Sequence, residues 1–283
     1  MKWEDRYVEV DGISTHYVFA GSGHPVVLLH GLGASLAVWW ENMAPFAERF
    51  SVYALDLPGH GDSGKPDIAY DMPSTVRFLA SFLDSQGIDR VSLVGNSGGG
   101  MLAAAFASLH PDRLDRLVLV DAAGLGREMP VFLRLASLPI IGEILQTPKV
   151  RNTENLIKSV FYEPRVVQDA LAGELMRVRN LPGAKEAVLK AVRQGVTLWG
   201  MRRELVLLPH LQRVKVPILL VWGREDRVIP VAHAYLAASM LPGARLHVIP
   251  FCGHWPQMER AQEFNRVVIT FLDGGLAETA CPA

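Results

Sequence analysis

Val91-Ser92-Leu93-Val94-Gly95-Asn96-Ser97-Gly98-Gly99-Gly100-Met101 decides the reading of this chain. Val91 to Val94 is a short apolar run of the kind that forms a buried strand, and the apolar, alanine-rich stretch Met101 to Leu109 reads as a helix. Between them, Gly95-x-Ser97-x-Gly99 must reverse the chain within a few residues. A serine at the tip of so tight a turn sits in a strained backbone conformation. Side chains at 95 and 99 would collide, so both positions need glycine. The turn pushes the Ser97 hydroxyl clear of the sheet. It also aims the Gly98 N–H, at the start of the helix, toward any oxygen bound there. The competing reading is a plain glycine-rich turn. The strand before it and the helix after it favour an exposed nucleophile.

Outward from that turn the pattern repeats. Tyr7–Val10 and Thr15–Ala20 alternate about Asp11-Gly12, a hairpin signal. Pro25–Leu29, Val52–Leu55, Leu117–Val120, Pro217–Val221 and Arg245–Pro250 read as further strands. Thr75–Gln86, with Val76, Leu79, Phe82 and Leu83 on one face, reads as a helix, as does Ala261–Leu272. Alternating strand and helix predicts an α/β fold with a mostly parallel central sheet flanked by helices and right-handed crossovers. From Gly124 to Leu211 no strand run occurs. Helical stretches broken by Pro130, Pro139, Pro148, Pro164 and Pro182 predict a helical cap insert. The expected organisation is therefore a core of residues 1–123 and 212–283 and a cap of residues 124–211. The tail from Gly274 to Ala283 is expected to fray.

Composition excludes several classes. The chain has 283 residues, a formal net charge of −1, 49% hydrophobic and 20% charged residues. It is too apolar for disorder and lacks the basic stripe of a nucleic-acid binder. No apolar run approaches the roughly 18 residues that span a bilayer, so no membrane partner is expected. Met1-Lys2-Trp3-Glu4-Asp5-Arg6 has no secretory core, and two cysteines, Cys252 and Cys281, make no disulfide framework. A cytoplasmic location is the expectation.

A serine hydroxyl needs a base, and the base needs an orienting acid. His254 follows the strand ending at Pro250, and Asp226 follows the strand ending at Val221. Strand ends on the carboxyl side are where α/β sheets place their chemistry. Asp121 also ends a strand and is the rival acid; Glu225 is a weaker candidate. A second oxyanion donor is the N–H of Leu32, in His30-Gly31-Leu32-Gly33 after the strand ending at Leu29. Asp56-Leu57-Pro58-Gly59-His60-Gly61-Asp62-Ser63 reads as structural, and Cys252 as a packing residue. No pair of histidines has ligand spacing with a carboxylate, so neither metal nor cofactor is expected. In the cap, Arg177, Arg179, Arg202 and Arg203 are either a solvated face or a clamp for an anionic substrate.

The order Ser97, Asp226, His254 and these turns resemble the α/β-hydrolase superfamily from about Tyr7 to Leu272. Gly95-Asn96-Ser97, Gly223-Arg224-Glu225-Asp226-Arg227-Val228-Ile229-Pro230 and Gly253-His254-Trp255-Pro256-Gln257 resemble the meta-cleavage product hydrolases, which cut carbon–carbon bonds. That resemblance implies Ser97, Asp226 and His254 as a triad, Leu32 and Gly98 as oxyanion donors, and Asn96 and Trp255 as substrate-binding residues. The Leu32 loop and small Gly98 equally resemble general carboxylesterases. The first expectation is thus a serine esterase cleaving short to medium acyl esters through an acyl-enzyme. The alternative is carbon–carbon cleavage of a 2-hydroxy-6-oxo-dienoate, a diketone substrate in place of an ester. A non-catalytic receptor on the same fold would not need an intact triad with both oxyanion turns.

Overall fold

The computed structural model describes residues 4–146, 157–163 and 169–275. Pro148, Pro164, Cys281, residues 1–3 and the tail beyond Gly275 lie outside the described residues. Strands β1 (Glu4–Val10) and β2 (Ile13–Ala20) pair antiparallel. Asp11 and Gly12 join them with φ of 52° and 75°, the positive values a two-residue hairpin turn demands. Then come β3 (His24–Leu29), β4 (Phe50–Leu55), β5 (Val91–Asn96) and β6 (Leu114–Val120). A short pair, β7 (Val196–Thr197) and β8 (Gly200–Met201), forms its own ribbon. Last come β9 (Ile218–Gly223) and β10 (Arg245–Ile249).

The main sheet has eight strands in the order β1-β2-β4-β3-β5-β6-β9-β10. β2 runs antiparallel to both neighbours; every pairing from β4 to β10 is parallel. Helices cover the faces, which is why Val26–Leu29 of β3 and all of β5 and β9 are buried. The chain leaves β3 toward β4 on one side and returns as β5 on the other. The carboxyl ends of β3 and β5 therefore flank a switch in strand order, where open α/β sheets bind ligands.

Helix α1 (Trp40–Ala47) carries Pro45 inside it, and this interruption hides it from a sequence reading. Helix α2 (Met72–Ser85) starts three residues before the expected Thr75. Asp71 caps it by accepting the Ser74 N–H at 2.8 Å, and Pro73 occupies its first turn. Helix α3 (Gly98–Leu109) opens directly on the Ser97 turn, not at Met101. The terminal helix Ala261–Leu272 forms as expected, and Gly275 donates its N–H to Thr270 O beyond it. Trp39, Phe46, Phe82, Phe106, Trp222 and Phe264 fill the spaces between helices and sheet.

Among the described residues, the segment from Gly124 to Leu211 adds no strand to the main sheet. It holds helices Val131–Ala136, Ile141–Leu145, Asp169–Arg179 and Ala184–Gly195. The expectation of no strand there is corrected by β7 and β8, each too short to leave a readable run. Ala136, Val188, Val192 and Val196 form a second small core, with Leu32 of the β3 loop packed against it.

Candidate active site

Ser97 has φ 54° and ψ −117°, well outside the helical and extended regions. Its backbone is held from both sides: its N–H donates to Val120 O, and its carbonyl accepts from Met101 and Ala123. The flanking glycines are obligatory, for two different reasons. A Cβ on Gly95 would lie 2.3 Å from Gly99 O, within the turn itself. A Cβ on Gly99 would lie 2.3 Å from Leu29 O, at the end of β3. Gly31 faces the nucleophile closely: a Cβ there would stand 2.9 Å from Ser97 Cβ. A Cβ on Gly98 would stand 3.5 Å from the Leu32 amide nitrogen, so the two expected oxyanion donors are neighbours. Gly98 is the first residue of α3, whose opening N–H groups have no partner within the helix.

His254 is buried, and its Nδ1 lies 2.7 Å from Asp226 Oδ2. Asp226 Oδ1 accepts the N–H groups of Val228 (2.7 Å) and Ile229 (3.1 Å), so the carboxylate is fixed by its own loop. With Nδ1 facing a carboxylate, Nε2 is the nitrogen left for proton transfer. Asn96 ties the two loops together: its Nδ2 donates to Val120 O (3.2 Å) and to His254 O (3.1 Å).

The rival acid, Asp121, lies in the same cluster: one atom from each of Asp121, Asp226 and His254 falls within 4.8 Å of the others. Asp121 Oδ1 accepts the Gly223 N–H at 3.0 Å, while Oδ2 receives no hydrogen bond. Full burial, then the charge of Asp226, hold the Asp121 carboxyl well above the usual carboxylate range. The protonated form of Asp121 is thereby favoured, with Asp226 as its side-chain partner.

A cavity of about 400 Å³ opens beside Ser97. Ser97, Gly98 and Leu32 stand on its wall with apolar residues such as Met72, Met101, Met129, Leu133, Met201 and Ile229. Asn96 and Trp255, expected to bind substrate, stand off this wall. The Asn96 Nδ2 donates to two carbonyls while its buried Oδ1 receives no hydrogen bond, and Trp255 is buried edge-on against Phe161, 5.6 Å between centroids. Cys252 is fully buried, which pushes its thiol far up; packing is its environment. Asp56 accepts from Leu36 N, Asp62 N and His16 Nδ1, which fastens the loop after β4. Arg177 pairs with Asp62 on the surface, Nη1 to Oδ1 2.8 Å.

Sequence reading missed Glu259. Buried, it accepts the N–H groups of Gly253 (2.7 Å), Tyr162 (3.1 Å) and Glu163 (2.7 Å). The His254 N–H in turn donates to Val160 O. Glu259 thus clamps the histidine loop to the segment around residue 160, and no local pattern announces a partner about 97 residues away.

Two polar groups near the oxyanion loop lack protein partners. His60 lines both the main cavity and a smaller hollow beside it. Its Nδ1 faces Pro58 O at 3.0 Å, so its buried Nε2 is a free acceptor. Burial, with His30 beside it, lowers its pKa to about 3, so it is neutral at pH 7. Arg179 lines the smaller hollow with its Nη1 3.4 Å from where a Gly33 Cβ would be. Its Nε is buried and unbonded, and no carboxylate among the described residues pairs with its guanidinium. Arg202 stands on the wall of the main cavity.

Residues 26–267 match the model of the alpha/beta hydrolase family. A 2-hydroxy-6-oxo-6-phenylhexa-2,4-dienoate hydrolase of Comamonas testosteroni is 31% identical over 266 residues, covering 91% of this chain and 90% of its own length. A 2-hydroxy-6-oxo-6-(2'-aminophenyl)hexa-2,4-dienoic acid hydrolase of Metapseudomonas resinovorans is 32% identical over 275 residues, covering 95% and 90%. Among solved structures, a meta-cleavage product hydrolase superposes with TM-score 0.81 at 29% identity, covering 95% of this chain and 98% of that one. A bacterial membrane phospholipase A gives 0.82 at 31%, covering 96% and 86%.

Proposed function

The chain belongs to the alpha/beta hydrolase family, and from that premise we propose that it hydrolyses a carbon–carbon bond in a 2-hydroxy-6-oxo-dienoate. The observation that carries this reading is the unpaired Arg179. A guanidinium left without a carboxylate partner in a largely enclosed place needs an anion. A dienoate substrate brings a carboxylate to it. The free Nε2 of His60 accepts a hydrogen bond from the adjacent 2-hydroxyl, and the apolar cavity takes the 6-substituent.

The 2-hydroxyl first gives up its proton while C5 takes one, which leaves a C2 ketone conjugated with a C3–C4 double bond; Ser97 then attacks the C6 ketone while His254 takes its proton. The Leu32 and Gly98 N–H groups hold the oxyanion, at roughly 3 kcal/mol each. Collapse breaks the C5–C6 bond. The electron pair leaves as a carbanion conjugated through to the C2 oxygen, and the imidazolium protonates it. Water, activated by the same imidazole, then releases the acyl group as a carboxylic acid. Asp226 fixes the histidine tautomer throughout.

Ester cleavage, the first expectation from the sequence, uses the same residues, and the phospholipase A neighbour supports it as a second reading. It leaves Arg179 without a role. The test compares turnover of a phenyl-substituted ring-fission product with p-nitrophenyl esters, in the native chain and in Arg179→Leu. Native turnover should favour the dienoate. Arg179→Leu should raise its KM at least tenfold and leave ester turnover unchanged. Ester turnover alone, indifferent to Arg179, would overturn the proposal. Ser97→Ala should abolish both activities.

A further inference from the structure

The outer face of the helices above the cavity exposes a concentration of large apolar side chains found nowhere else among the described residues. Val131 is 63% exposed, Ile140 73% and Ile144 67%, with Phe132 and Leu135 also open to solvent. Trp199, at the tip of the β7–β8 ribbon, is 82% exposed. The ribbon is fixed against this face: Arg134 donates to Leu198 O, and Trp199 N–H is held by Thr197 Oγ1 at 3.2 Å. Exposed apolar groups on this scale mark an interaction surface rather than ordinary scatter.

The backbone is strained to present one of them. Ile140 has φ 66° and ψ −56°, and Ile141 N–H donates to Pro139 O at 2.7 Å. That is the tight three-residue turn of the rare, strained hand, here centred on a β-branched residue. The Ile140 side chain is nevertheless 73% exposed. Strain that delivers an apolar group into water points to a partner that receives it.

Charge and position identify the partner. Residues 124–146 and 193–205 hold five arginines (127, 134, 193, 202 and 203) against three glutamates, in a chain whose net charge is −1. Glu128 is engaged by His233, Glu143 by Arg193 and Glu204 by Arg202, which leaves Arg127, Arg134 and Arg203 without a carboxylate partner among the described residues. An apolar face with a tip tryptophan and surplus arginines suits an anionic bilayer surface, where aliphatic side chains enter the acyl boundary and arginines meet the headgroups. A second copy of the chain fits less well, because two such faces brought together would oppose their arginines. The same elements also line the cavity from within, through Leu133, Val196 and Met201. The patch is thus the outside of the cavity's own wall.

From this we infer that the face carrying Val131, Ile140, Ile144 and Trp199 docks on the surface of an anionic lipid bilayer. No described helix is long and apolar enough to cross a membrane, and docking requires none. The expectation of no membrane partner rested on the absence of a spanning run; surface attachment is a different geometry. The inference does not depend on which bond the site cleaves.

The test is co-sedimentation of the full chain with vesicles of equal parts phosphatidylglycerol and phosphatidylcholine, and with phosphatidylcholine alone, beside sedimentation velocity without lipid. The native chain should bind the anionic vesicles, with a blue shift in tryptophan emission, and release them at about 0.5 M salt. The double variant Ile144→Ser/Trp199→Ser should bind at least tenfold more weakly while melting within a few degrees of the native chain. Arg203→Gln, which leaves the Arg134 contact and every apolar group in place, should weaken binding to the anionic vesicles alone. Absence of binding, or binding indifferent to both variants, overturns the inference. A concentration-dependent dimer abolished by Ile144→Ser/Trp199→Ser, without vesicle binding, overturns it in favour of a second copy.

Discussion

Replacing Asp121 by asparagine and, separately, by alanine tests the paired-acid arrangement behind His254. Asp121 is wholly buried, with Oδ1 accepting from Gly223 and Oδ2 left to carry a proton toward Asp226. Asparagine keeps both hydrogen bonds: its carbonyl accepts from Gly223 and its amide donates to Asp226. Alanine removes both. A hydrogen bond to a charged group contributes about 1.5–3 kcal/mol, and the stranded Gly223 N–H costs a further ~1–3 kcal/mol of stability. About half of the first effect reaching the transition state lowers kcat/KM by roughly 4- to 12-fold. Asp121→Asn should stay within about threefold of the native chain, and Asp121→Ala should fall about tenfold and melt earlier.

The pH dependence gives an independent readout. The Asp121 carboxyl is raised well above the usual carboxylate range in the folded chain, by burial first and by Asp226 second, whereas in the unfolded chain it ionises near pH 4. Folding therefore takes up a proton above about pH 4, and the native chain loses stability as pH rises from there through the raised folded pKa. Asp226 and Glu259 carry the charges that oppose its ionisation. Asparagine cannot titrate. The stability of Asp121→Asn relative to the native chain should thus rise with pH, by about 1.4 kcal/mol per unit within that window. Thermal or urea melts from pH 4 to 8 measure this directly. Parallel native and Asn curves, or activity lost equally in Asn and Ala, would refute a protonated, donating Asp121.

Two more outcomes follow from the geometry. Gly99→Ala places a methyl 2.3 Å from Leu29 O, a backbone atom that cannot swing away; unfolding free energy should fall by about 1–3 kcal/mol, and Ser97 should lose its reactivity toward a fluorophosphonate probe. Glu259→Gln turns one of two accepting oxygens into a donor facing N–H groups; urea melts should show a loss of about 2–4 kcal/mol, with dienoate turnover falling as the His254 loop loosens.

Local chemistry was legible in the chain itself. A five-residue turn with glycine at 95 and 99 announces Ser97: the constraint on Gly95 is set within the turn by Gly99 O, whereas that on Gly99 comes from Leu29 O of β3 and shows only in the packed chain. Short Val- and Leu-rich runs mark the buried parallel strands, and residues that follow such runs are placed at one edge of the sheet. Asp226 and His254 were readable on that ground, and so was the Leu32 loop. The acid carried less information: Asp121 and Asp226 both end strands, and either fits the pattern.

Only the packed molecule separates them. Asp226 accepts the Val228 and Ile229 N–H groups, whereas burial and the neighbouring Asp226 raise the Asp121 carboxyl well above the usual range. Sequence does not encode desolvation, which depends on everything folded around a group. For the same reason the bond by which the Asn96 amide joins two loops has no signal in the sequence, and neither has Glu259, which holds Gly253, Tyr162 and Glu163 together. The isolation of Arg179 and the outward face of Ile140 and Trp199 are likewise facts about neighbours that are missing. The order of residues fixes which groups are present and where the chain turns; which of them go unpaired is decided when distant segments compete for the same space.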